Sequence, residues 1–331
     1  MSDTDAAPIT IAGPPARSGA KAADRDMVWI DGASFLMGSN AHYPEERPVV
    51  RTEVHGFWID RGPVTNADFV RFVEATGWVT VAETPPRAED YPGALPGMLT
   101  PASLVFTPTR GPVDLRDCSA WWRLIPGADW RHPTGPKSSL AGLDRHPVVH
   151  LAWADVEAYA RWAGLDLATE AEWELAARGG VEGAEFAWGK ELTPGGRHLA
   201  NVWQGRFPWE NLASDGWART SPVGFYPAND FGLHDMIGNV WEWTRDWWST
   251  PSAAPVSSCC SPAGHRRAGC EDQSHDPAAP GPKIPRKVLK GGSHLCAPNY
   301  CRRYRPAARH AHPIDTSTSH IGFRCVLRPP N

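Results

Sequence analysis

Thr169-Glu170-Ala171-Glu172-Trp173-Glu174, running on through Leu175-Ala176-Ala177-Arg178 to Gly179-Gly180, is the stretch from which the fold is read. A hydroxyl stands at Thr169 and a carboxylate three residues on at Glu172, the order in which two side chains cap each other's backbone N–H at the start of a helix. The glycines end it, because glycine adopts the left-handed conformation that closes a helix without steric cost. The predicted helix is short. Two more of the same kind lie upstream. From Asp155 to Ala163, Val156, Tyr159, Ala160 and Ala163 recur at helical spacing before Gly164. After Thr65-Asn66, Phe69, Val70 and Val73 share one face before Gly77.

Around the helices the chain reads as strands and turns. Met27-Val28-Trp29-Ile30 and Ser34-Phe35-Leu36-Met37 flank Asp31-Gly32, a turn dipeptide, so a β-hairpin is expected there, and Val54 to Asp60 reads as a further strand. Residues 83 to 147, dominated by Pro, Gly and Trp without periodicity, read as a long structured loop region. Residues 1 to 26 have few apolar anchors to offset the entropy of ordering and read as a disordered tail; the Pro, Ser, Ala and Gly-rich residues 250 to 286 read as a mobile insertion. Short elements without βα alternation give an irregular, loop-rich α+β fold, in a single domain over 27–330.

Seventeen tryptophans against six tyrosines, with 31 glycines and 33 prolines, suit a core built from large rings and turns. A formal charge of −4 over 331 residues provides no basic field to attract nucleic acid or an anionic membrane. No stretch approaches a membrane span, and the N-terminal segment has no apolar run after a basic start, so a cytoplasmic monomer is expected. Seven cysteines, unevenly spaced, do not form a disulfide framework and favour reduced thiols or metal ligation.

Most of the chemistry is concentrated in Lys290-Gly291-Gly292-Ser293-His294-Leu295-Cys296-Ala297-Pro298-Asn299-Tyr300-Cys301, with Arg302, Arg303 and Arg305 beyond it. Pro298-Asn299 favours a turn that brings the two sulfurs together. Two thiolates without further ligands nearby suit a soft, low-coordinate ion such as Cu(I) better than tetrahedral zinc, and adjacent arginines favour the thiolate forms. Spacing alone favours a structural or redox-active disulfide, or two buried free thiols, over copper.

Taken with Tyr304-Arg305-Pro306-Ala307-Ala308-Arg309 and Ile321-Gly322-Phe323-Arg324-Cys325, this segment resembles the active-site region of the formylglycine-generating enzymes, or sulfatase-modifying factors. The likeness extends through Met37-Gly38-Ser39, Pro63-Val64-Thr65-Asn66, Pro147-Val148-Val149, the Thr169 to Glu174 run, Asn201-Val202-Trp203-Gln204-Gly205 and Gly238-Asn239-Val240-Trp241-Glu242-Trp243-Thr244. Only the tail and the insertion fall outside it. Several of these elements belong to a broader fold related to C-type lectins, so they speak for fold. The cysteine pair after Gly-Gly-Ser is what discriminates activity.

The resemblance implies an oxidase that acts on a sulfur group with O2 as acceptor. It would convert the cysteine of a Cys-x-Pro-x-Arg motif in an unfolded sulfatase polypeptide to formylglycine, with a separate reductant. Cys296 and Cys301 would hold Cu(I), the substrate thiolate would join it, and a thioaldehyde would be hydrolysed to the aldehyde. Ser293, Tyr300 and Trp241 resemble the family's active-site hydroxyls and shielding ring. Arg305 would suit a thiolate site or an ordinary salt bridge, and His320 stands where animal relatives have an asparagine. Two structural Ca²⁺ sites are also implied. One uses Asn201 and Asp215 with carbonyls of Val202 and Trp217, the other Asp235 and Glu242 with carbonyls of Gly238 and Val240.

Cys118 and Cys325 read as small buried residues. Cys259, Cys260, His265, Cys270 and His275 have poor zinc spacing. Pro306 and Ala160 occupy positions where secreted animal relatives would carry cysteines. The alternatives are a lectin-like binding module, which the cysteine pair argues against, and a metal-free thiol–disulfide oxidoreductase. An ergothioneine-type sulfoxide synthase would need a further helical domain with histidine ligands.

Overall fold

The computed structural model describes residues 25–250, 269–279 and 281–330. Most of the expected tail, and Cys259, Cys260 and His265 of the expected insertion, lie outside these. The last two tail residues are docked: the Arg25 guanidinium grips Asp60 and donates to the Tyr159 hydroxyl, and the Asp26 carbonyl accepts from Arg61. The end of the insertion is likewise tied down, with Ser274 buried and bonded to the backbone and side chain of Arg286.

Three short helices form where the caps lie: α1 (Asn66–Thr76), α2 (Trp153–Ala163) and α3 (Glu170–Arg178). Thr65 and Asp68 cap α1 reciprocally, as Thr169 and Glu172 cap α3, and Gly77, Gly164 and Gly179 close the three helices at left-handed φ. α1 and α2 pack through rings: Phe69 and Phe72 stand 5.9 and 5.4 Å from Tyr159, which meets Phe323 at 5.1 Å. Offset and edge contacts of this kind add about 0.5–1.5 kcal/mol per pair beyond the area buried.

Among the described residues the strands make two four-stranded sheets and two hairpins. In the first sheet β1 (Met27–Ile30) and β12 (Cys325–Leu327) flank β4 (Phe57–Asp60), and β7 (Asp166–Leu167) adds to β12. In the second, β9 (Arg286–Lys290) lies between β10 (Arg309–Pro313) and β8 (Trp241–Trp247), with β11 (Ile321–Gly322) parallel to β8. β2 (Ala33–Met37) pairs with β3 (Val50–Val54), and β5 (Ala102–Phe106) with β6 (Trp122–Pro126). Among the described residues no helix is long and apolar enough to cross a membrane.

Two strand expectations are corrected. β1 and β2 are not a hairpin: β1 pairs with β4 and β2 with β3. A two-residue hairpin of the Asp-Gly type needs positive φ at its central residues, and Gly32 is not among the residues with positive φ. Instead Gly32 lies against the turn between β3 and β4, where an added Cβ would come within 2.9 Å of the Val54 carbonyl oxygen and the Gly56 nitrogen. The expected strand from Val54 to Asp60 is divided at the same place. The loop region 83–147 contains a hairpin, β5–β6, whose residues showed no alternation.

α3 is the element that anchors β9. All its residues are buried, charged ones included, so its carboxylates need cations. Glu174 takes Lys290 at 3.0 Å, Arg178 at 2.7 Å and the Gly38 N–H at 2.7 Å. Burial, the largest influence on Glu174, works against ionisation, yet Lys290 and Arg178 hold its carboxyl down to about 2. Lys290 is the last residue of β9, so this ion pair fixes the start of the cysteine segment.

Candidate active site

Immediately after Lys290 the chain turns on two glycines at positive φ. A Cβ on Gly292 would stand 2.7 Å from the Arg303 carbonyl oxygen, so this close approach, which ties the loop from 292 to 303 into a ring, requires glycine. Inside the ring, the Cys296 N–H donates to the Ser293 carbonyl at 2.9 Å and the Cys301 N–H to the Ala297 carbonyl at 2.9 Å. These turns around Pro298-Asn299 bring the two sulfurs to 3.4 Å, as the sequence led one to expect. Both thiols are free, at a separation well beyond the roughly 2.05 Å of a disulfide.

The two sulfurs differ. Cys296 is buried, receives the Ser293 N–H at 3.4 Å, and has its thiol pushed up by burial and then by its neighbour. Cys301 is partly exposed, and the hydrogen bond with Cys296, helped by Arg303, pulls its thiol down against burial. Arg303 Nη1 stands 3.8 Å from Cys301 Sγ. Of the two readings open for Arg305, the structure shows the salt bridge: it is buried in an ion pair with Glu46.

Around the pair, the Tyr300 ring stacks on Phe207 at 4.5 Å and meets Trp121 edge-on at 5.3 Å. Burial pushes its hydroxyl up to about 12. Trp241 shares the core cluster of Cys296 and Tyr304, and its ring lies 5.6 Å from His310. The Ser293 hydroxyl accepts the Leu295 N–H at 3.2 Å, so it braces the turn. His320 is bonded to Thr318 at 2.6 Å and packs 4.8 Å from Trp122.

The Sulfatase-modifying factor enzyme 1-like domain matches residues 15–329. This chain belongs to that family. It is 53% identical over 306 residues to the formylglycine-generating enzyme of Mycobacterium tuberculosis, covering 92% of this chain and 98% of that one. It is 43% identical to the Thermomonospora curvata enzyme of the same name, covering 92% and 94%. A mouse member named an inactive Cα-formylglycine-generating enzyme 2 is 35% identical, covering 92% and 86%, so membership by itself does not decide activity. Among solved structures, PvdO from Pseudomonas aeruginosa shares the fold with a TM-score of 0.59 and 24% identity, covering 96% of this chain and all of that one.

The oxygen sets expected from the resemblance to sulfatase-modifying factors occupy defined places. Asn201 donates from Nδ2 to the Arg219 carbonyl at 2.8 Å, while its Oδ1 is buried without a partner. Asp215 accepts from the Trp217 N–H at 3.0 Å and the Tyr226 hydroxyl at 2.9 Å, and the Val202 carbonyl accepts from the Gln204 amide. In the other set Asp235 receives the Gly224 N–H at 2.8 Å, and burial pushes its carboxyl up to about 6. Glu242 is occupied by Arg324 at 2.7 Å and by the Trp173 N–H at 2.7 Å. Both sets connect to the cysteine loop: Asn239 donates to the Asn201 carbonyl, Gly238 to that of Gly291, and His294 to that of Asn239.

Cys118 is exposed, contrary to expectation, because it sits in a surface turn capped by Asp117; Cys325 is buried as expected. Sequence reasoning missed Tyr43, Glu45 and Phe207. Among these only the aromatic character of Tyr43 and Phe207 offered any signal, since Glu45 meets Arg303 across 258 residues.

Proposed function

We propose that this chain is a copper-dependent formylglycine-generating oxidase acting on the cysteine of a Cys-x-Pro-x-Arg motif in sulfatase polypeptides, with O2 as acceptor. The observation that carries the reading is the reduced sulfur pair at 3.4 Å with a guanidinium against its outer member, in a chain more than half identical to a protein of that name. The donor set fits Cu(I): two soft sulfurs converge at 3.4 Å, the ligand type that selects that ion. When bound, Cu(I) supplies a site for the substrate thiolate and for O2.

Cys301 offers a sulfur that Arg303 favours as thiolate, and Cys296 is held by the Ser293 N–H. Tyr300, its hydroxyl raised to about 12, keeps its proton at neutral pH, and its ring stacks on Phe207 beside the pair. Trp241 and Phe207 keep water from the buried side. In the balanced reaction the substrate's Cβ–H and S–H bonds give up two electrons and two protons, and a reductant supplies two more of each. O2 takes them as two waters, one of which hydrolyses the thioaldehyde and releases sulfide.

Ca²⁺ is part of the same reading. The unpartnered Asn201 oxygen suits a cation that tolerates irregular oxygen coordination, with Asp215 and the Val202 and Trp217 carbonyls as the further ligands of the reading. Asp235 supports the second site, as a buried carboxylate short of positive charge, with carbonyls of Gly238 and Val240. Glu242 already has Arg324, so it contributes less there.

The test loads the reduced protein with Cu(I), adds a Cys-x-Pro-x-Arg peptide and O2, and follows the peptide by mass spectrometry. Aldehyde that requires copper and vanishes in Cys296→Ala and in Cys301→Ala is the expected outcome. Peptide left unchanged by a folded, copper-loaded chain sinks the reading. Turnover that needs neither copper nor O2 favours thiol–disulfide exchange.

A further inference from the structure

We propose that Glu45 is a positioning residue for the cysteine pair: with the Tyr43 ring it fixes the Arg303 guanidinium against Cys301 and so strengthens the hold of the pair on Cu(I). This rests on the copper reading above.

A guanidinium is a planar fork, and anchoring part of it aims the rest. Glu45 Oε1 accepts from Arg303 Nε at 3.1 Å and also from Nη2. The Tyr43 ring lies 3.8 Å from the guanidinium carbon, and its hydroxyl accepts the Arg302 N–H at 3.0 Å. With one edge and one face taken, Nη1 is the remaining end, and it faces Cys301 Sγ at 3.8 Å. Glu45 and Tyr43 thus bring the turn before β3 onto the cysteine loop.

The consequence for metal binding can be tested by its sign. Two thiolates and one Cu(I) carry a net negative charge, which an adjacent guanidinium stabilises. Glu45 is itself an anion, so by simple Coulomb repulsion its removal would strengthen copper binding. If its role is to hold Arg303 in place, removal weakens binding instead. Partners outside the ligand set commonly change metal affinity by 10- to 100-fold, and this pair is partly solvated, so an effect of about tenfold is expected.

The experiment uses the full chain, anaerobic and reduced, with Cu(I) partitioned against a chromophoric Cu(I) chelator. Glu45→Gln and Tyr43→Leu are each expected to weaken Cu(I) binding by about tenfold while circular dichroism is retained. Glu45→Gln should add nothing in an Arg303→Met background. Tighter or unchanged binding by Glu45→Gln overturns the inference, as does a further loss from it when Arg303 is already gone. Should Glu45→Gln fail to fold, Tyr43→Leu, which changes no charge, decides by itself, and unchanged binding there is equally fatal. A wild-type chain that takes up no Cu(I) defeats the copper reading, a result visible before any substitution is compared.

Discussion

Glu45 and Glu46 are adjacent, and they bind arginines two residues apart, Arg303 and Arg305, yet the two pairs work differently. Arg305 and Glu46 are 2% and 0% exposed and meet through two parallel hydrogen bonds, with Arg305 Nε also donating to the Arg302 carbonyl. Arg303 and Glu45 are 21% and 19% exposed, share a single carboxylate oxygen, and leave one guanidinium nitrogen for a sulfur. Burial separates the roles. Both pairs join the turn before β3 to the arginines after Cys301; the inner one is sealed from water, whereas the outer one leaves a nitrogen facing the thiol.

The largest effect expected from this contrast is on stability. Glu46→Gln leaves a buried guanidinium without its counter-charge, which typically costs about 3–5 kcal/mol. Urea unfolding should show the midpoint fall by a corresponding amount. A change below about 1 kcal/mol, the range of a surface pair, would mean that water reaches Arg305 and that the two pairs are alike.

Burial has a different consequence for a group whose hydrogen bonds go to neutral partners. His150 is fully buried, bonded to the Ser103 hydroxyl and the Pro133 carbonyl, and burial pulls its ring down to about 4. Because the unfolded chain takes up the proton first, the neutral ring contributes stability that is complete above about 6.5 and is lost as pH falls toward 4. His150→Asn, chosen because φ is +63° there and asparagine tolerates that conformation, should remove this dependence. Measured from pH 7 to pH 5, the variant's stability loss should be smaller than the wild type's by about 2 kcal/mol. Parallel pH curves would show that His150 is solvated or paired, and that burial alone does not set these groups.

The sequence made local devices legible and left long-range ones hidden. Thr169 and Glu172, or Thr65 and Asp68, cap helices through bonds three residues apart, and Pro298-Asn299 announces the turn that joins the sulfurs. Each of these signals lies within one turn of backbone. The Asp31-Gly32 hairpin fails for the complementary reason: a local turn preference is overridden when β1 and β2 find partners further along the chain. The site divides in the same way. Cys296 and Cys301 could be read in sequence, whereas Glu45, the anchor of Arg303, lies in a Pro-Glu-Glu turn with no local mark of its partner. Among three nearby arginines the sequence could not say which would face a sulfur and which would be salt-bridged, because spacing cannot reveal which of them folding buries.

The smallest expected effect is the one that tests the contrast most directly. Glu45→Gln breaks an ion pair that is partly exposed, so water can solvate the released Arg303, and stability should change by less than about 1 kcal/mol. The same urea experiment that registers Glu46→Gln should barely register this neighbour. If Glu45→Gln destabilises as strongly as Glu46→Gln, the outer pair is part of the structural clamp, and any weakening of Cu(I) binding would follow from a loosened loop. If stability holds while copper binding falls, fold and metal affinity are carried by different members of two adjacent pairs.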